Sequence, residues 1–73
     1  MLLVRPSSRI ISIVHNSSNQ TSNLTLESAE GFENEDYCLI DNNGSKAFYK
    51  IVEVNLENKI VTLEGILPES YVA

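Results

Sequence analysis

Apolar residues fall in short runs separated by polar punctuation. Residues 10–15 set Ile10, Ile11, Ile13 and Val14 around Ser12, a β-branched run of strand length. Residues 16–23 are Asn, Ser, Gln and Thr without one apolar anchor, which predicts a loop. Residues 24–28 alternate, with Leu24 and Leu26 facing one way and Thr25 and Glu27 the other. Gly31-Phe32 then predicts a sharp turn at positive φ, followed by an aromatic plug folded back on the core. Residues 37–41 form the next strand, and Asn43-Gly44 predicts a two-residue type I′ hairpin. Residues 47–56 carry Phe48, Val52, Val54 and Leu56 on one parity and Tyr49 and Ile51 on the other. That switch near Lys50 predicts a bulge or a bend at a barrel corner. A turn at residues 57–59 returns the chain through residues 60–64, which Gly65 and Pro68 end.

Five or six short strands with tight turns, and no window of helical period, predict an all-β chain. The only room for a helical turn is around residues 28–36. So few residues can hide the strand edges only by curling, so the expected architecture is a small antiparallel, partly closed barrel of the SH3-like or OB-like kind. The apolar fraction, 42 %, fits a folded domain, and its Val, Ile, Leu, Tyr and Phe suit a pleated surface better than a helix. A chain of 73 residues buries only roughly 60 % of the surface it exposes when unfolded, so the domain is marginal alone. Cys38 is the single cysteine, so no internal disulfide compensates.

Residues 1–9 read as an arm preceding a barrel of residues 10–73. Leu2, Leu3 and Val4 are apolar, lie just before Arg5-Pro6, and have nothing local to cover. They are therefore the candidate interaction residues. The expectation is that they dock along a strand edge of a neighbour and that deleting the arm leaves a folded barrel that no longer assembles. The opening apolar run is too short for a signal-peptide core, and no run reaches membrane-spanning length. No membrane partner is expected. Without such a signal, the Asn-x-Ser/Thr triplets at Asn16, Asn19, Asn23 and Asn43 are by-products of a polar surface.

Charge is uneven. Two arginines and no acid lie in residues 1–26, whereas ten acids and three lysines follow, for a net charge of −5. A surface dominated by carboxylates repels phosphate backbones, so a nucleic-acid role is not expected. The same polarity would suit head-to-tail packing between related subunits. Catalytic chemistry finds no foothold: His15 stands alone, and Cys38 inside an apolar strand reads as a small hydrophobe. Glu30, Glu33, Glu35 and Asp36 crowd Gly31, but consecutive loop residues point apart. Asp41-x-Asn43-x-Ser45 imitates a calcium loop, yet Lys46 and Val52 occupy the positions that need glycine and an acid. The aromatic residues are not interleaved with cations as a single-strand binding face requires. No enzyme, metal or cofactor is expected.

Residues 24–67 carry Leu24-Thr25-Leu26-Glu27, then Gly31-Phe32, then Glu35-Asp36-Tyr37-Cys38-Leu39-Ile40. The strand ending Ile51-Val52-Glu53-Val54 and the return Ile60-Val61-Thr62-Leu63 follow. This order resembles a small β module that recurs in virion proteins of tailed bacteriophages. Glu35 stands where those modules carry glycine, which predicts a wider turn here. The resemblance implies a non-enzymatic structural role in a capsid, connector or tail, with other virion proteins or copies of itself as partners in an oligomeric assembly. The rival expectation is a cytoplasmic barrel that binds or regulates another protein through its loops.

Overall fold

Six strands emerge from these runs: β1 (Leu2–Arg5), β2 (Ser8–Asn16), β3 (Thr21–Leu26), β4 (Tyr37–Asn42), β5 (Ser45–Asn55) and β6 (Ile60–Glu64). The computed structural model describes residues 2–5, 8–42, 44–67 and 71, with the backbone alone at Leu2. Every pairing is antiparallel, and the strands close into a barrel in the order β1-β2-β3-β6-β5-β4. The expected fold class is therefore observed, and closure is complete.

β1 closes it. Leu3 and Val4 pair with Arg9 and Ser8 of β2, while residues 2–5 pair in register with residues 39–42 of β4. Val4 is fully buried and belongs to the core with Ile10, Leu24, Ile40, Ile51 and Leu63. The opening residues thus do not form a separate arm. Pro6 and Ser7 lie outside the described residues, but the pairing of Val4 with Ser8 shows that β1 and β2 make a hairpin. Folding back onto its own sheet satisfies both the apolar side chains and the backbone groups that an extended arm would leave to a neighbour.

Residues 16–23 do not form one loop. The turn spans residues 17–20 only, and β3 starts at Thr21. Ser22 is completely buried, its hydroxyl donating to the Gly65 carbonyl at 2.9 Å and accepting from the Leu67 amide at 3.1 Å. A serine can line a core when both roles of its hydroxyl are filled. Here it fastens the segment after β6 across the barrel end, where Leu67 is 1 % exposed.

The expected bulge is present a little later than Lys50. The β5–β6 register shifts between Ile51 and Glu53, and a matching shift falls between Ile10 and Ser12 on β2. These irregularities let β5 serve β4 with its first half and β6 with its second. Before the bulge Tyr49 and Ile51 face inward; after it Val54 does.

Two turns, and no helix, join β3 to β4. Phe32 N–H donates to the Ala29 carbonyl, with Gly31 at φ 88°, and Phe32 is buried as a core plug. Asp36 N–H donates to the Glu33 carbonyl, with Glu35 itself at φ 67°. The turn at Glu35 is therefore tight, not widened: a non-glycine residue adopts the left-handed conformation.

Candidate interaction face

Strand alternation sends the side chains of β1, β4 and the first half of β5 alternately inward and outward, and register aligns the outward ones into rows. One row runs Arg9, Leu3, Asp41, Lys46 from β2 to β5; the next runs Arg5, Leu39, Phe48; the last pairs Tyr37 with Lys50. Phe48 is 72 % exposed and Tyr37 62 %; with Leu56, also 62 %, they are the three most exposed large hydrophobic side chains among the described residues. Leu3 and Leu39 on the same face are half-buried. Four of the chain's five Lys and Arg side chains project here. Among the described residues, Asp41 is the only carboxylate in these rows.

The candidate residues of the opening segment divide. Leu3 contributes to this outer face, and Val4 points into the core and has no surface to offer. Leu2 pairs with Asn42, and its side chain lies outside the described residues. The residues that sequence reading missed are Arg5, Arg9, Tyr37, Lys46, Phe48 and Lys50. Along the chain the aromatics and cations look dispersed; register between strands interleaves them. The available signal was alternation in β5, where Lys46, Phe48 and Lys50 share one parity opposite Tyr49 and Ile51.

Charge around the face is ordered. The Lys50 ammonium lies 3.2 Å from the Glu35 carboxylate, whose hydrogen bond and charge hold it above the ordinary lysine range. Among the described residues this is the one ion pair, so Arg5, Arg9 and Lys46 have no carboxylate within 4.0 Å. The β3–β4 connection is acidic. Glu27, Glu30, Glu33, Glu35 and Asp36 are all exposed on the β3–β4 connection. That connection is fixed to β5: Glu35 N–H donates to the Ile51 carbonyl at 2.9 Å, Ile51 N–H to the Asp36 carbonyl at 2.7 Å, and Val54 N–H to the Asn34 side chain at 2.8 Å.

Cys38 is 2 % exposed, and burial pushes its thiol up to about 11, keeping it protonated and unreactive near neutrality. Burial, then the nearby Tyr71 hydroxyl, pushes Tyr49 up to about 12, and the two rings meet edge-on with centroids 6.4 Å apart. His15 is exposed near the end of β2. Among the described residues, no three His, Cys, Asp or Glu side chains converge as metal ligands. The Asp41 carboxylate accepts the Gly44 amide at 2.8 Å, which commits it to the hairpin turn. Gly44 takes φ 97°, and the paired Asn42 and Ser45 leave a two-residue loop; Asn43 lies outside the described residues.

No protein-family model matches this chain, and no curated protein or solved structure matches it either.

Proposed function

We propose that this chain is a non-enzymatic structural module that joins neighbouring subunits, in the virion of a tailed phage, through the outer face of β1, β4 and β5. The observation that carries the reading is one face on which exposed Phe48 pairs with half-buried Leu39, and exposed Tyr37 and half-buried Leu3 sit in the adjoining rows, among four cations. Aromatic side chains give large contact area, and arginine at the border gives directional pairing, the composition of docking surfaces. A closed barrel supports this use. Its face is rigid, so little ordering entropy is lost on contact.

Exposed aromatics among cations also resemble a surface for single-stranded nucleic acid. Asp41 within the rows, Glu35 and Asp36 at their border and the net charge of −5 weigh against that use. The test is composition. Mass spectrometry of particles purified from a host carrying the gene should recover the chain in a fixed ratio to the major shell or tail protein. Its recovery solely in the host's soluble fraction, with none in particles, would overturn the virion reading.

A further inference from the structure

The basic face and the acidic β3–β4 connection adjoin each other at the Lys50–Glu35 pair. Among the described residues, Arg5, Arg9 and Lys46 stand on one side without a carboxylate within 4.0 Å, and Glu30 and Glu33 stand on the other, exposed and without a cation within 4.0 Å; Glu27, whose amide donates to the Arg9 carbonyl, belongs to the first side. Tyr37 follows Asp36 directly and marks the junction, with exposed Phe48 diagonal to it across the β4–β5 pair. A patch that is basic at one end, aromatic in the middle and acidic at the other is its own complement after a two-fold rotation. We propose that the occupant of this face is a second copy of the same chain, related by a two-fold axis near Tyr37, each copy laying its acidic connection on the other's Arg5, Arg9 and Lys46. This deepens the assembly role proposed above and rests on it.

Three features fit a second copy. The acidic connection is preorganised, anchored from within by buried Ala29 and Phe32 and along β5 by three hydrogen bonds, so its carboxylates hold fixed positions. The charges at the two ends are opposite, which steers the copies together and excludes the parallel arrangement that would set cation against cation. The exposed aromatics lie at the centre, where partner burial removes most water. The expectation of head-to-tail packing becomes a closed pair instead, because the two ends of the patch are neighbours and not opposite poles.

Charge exchange tests this. Sedimentation equilibrium of the intact chain should approach a limiting mass of twice 8.1 kDa as concentration rises. Raising salt to about 1 M, where the screening length is about 3 Å, should weaken the pair by at least about tenfold. The double variant R5E/K46E and the double variant E30K/E33K should each remain monomeric, since each makes both ends of the patch alike. Mixing the two should restore a dimer, because each supplies the sign the other lacks; recovery on mixing also shows that both variants are folded. A wild-type chain that stays monomeric, that grows without a limiting mass, or whose variants pair as wild type does would overturn the proposal. So would a monomer whose face binds fluorescent oligothymidylate and loses it in R5E/K46E. Particles that contain a chain monomeric on its own would leave the assembly role standing and remove the two-fold pair alone.

Discussion

Glu35 holds a conformation that its side chain resists. At φ 67° it occupies the third position of a turn closed by the Asp36 amide on the Glu33 carbonyl, where glycine is the unstrained choice. The left-handed backbone costs a non-glycine residue about 1–2 kcal/mol, and the entropy a glycine adds to the unfolded chain offsets about 0.5–1 kcal/mol of any relief. The Lys50 pair that would be lost is open to solvent screening and adds little. Glu35→Gly should therefore leave stability unchanged or raise it by up to about 1 kcal/mol in urea melts. A loss greater than about 1 kcal/mol would mean that the carboxylate, not the backbone, decides this position. Gly31, at φ 88°, does the same work without strain and announced itself in the sequence. Glu35 did not, because nothing in a glutamate signals positive φ. Ser22 escaped notice for a similar reason: its burial depends on the Gly65 carbonyl and the Leu67 amide, partners more than forty residues away in sequence.

Among the elements, β1 shows where local reading stops. The alternation of residues 24–28 and the aliphatic run of residues 60–64 located strands because each side chain's direction follows from its own neighbours. The Asn-Gly hairpin likewise brought β4 and β5 into register around a two-residue loop. Leu2, Leu3 and Val4 gave no such cue, since their partners on β4 lie about forty residues downstream. The same limitation hid the candidate interaction face, whose rows exist only once β1, β4 and β5 are aligned. Removing residues 1–9 takes away Val4, worth roughly 1.5–3 kcal/mol of burial, together with ladder hydrogen bonds worth about 1 kcal/mol each. A domain of this length has a net stability of about 4–11 kcal/mol, so a loss of this size should abolish cooperative folding. Circular dichroism of the truncated chain should show no cooperative thermal transition. A transition within a few degrees of the full chain's would return the segment to the status of an arm.

In the whole molecule, a closed barrel supports one outward face on which exposed aromatic side chains lie among cations. Its interior is complete: buried Ser22 is hydrogen-bonded, and no buried side-chain nitrogen or oxygen among the described residues lacks a partner. The exposed aromatic side chains among the described residues are Phe48 and Tyr37, where burial against a neighbour would remove roughly 1.5–3 kcal/mol of unfavourable hydration per fully covered side chain. Val14, 58 % exposed on β2 away from this face, is a built-in reference. Hydroxyl-radical footprinting of the free chain and of the chain in its assembled particle compares them directly. The account predicts rapid oxidation of Phe48 and Tyr37 in the free chain and at least about tenfold protection of both on assembly, as full burial at an interface core requires. Oxidation at Val14 should change much less. Equal oxidation of Phe48 and Tyr37 in both states would contradict the assignment of this face.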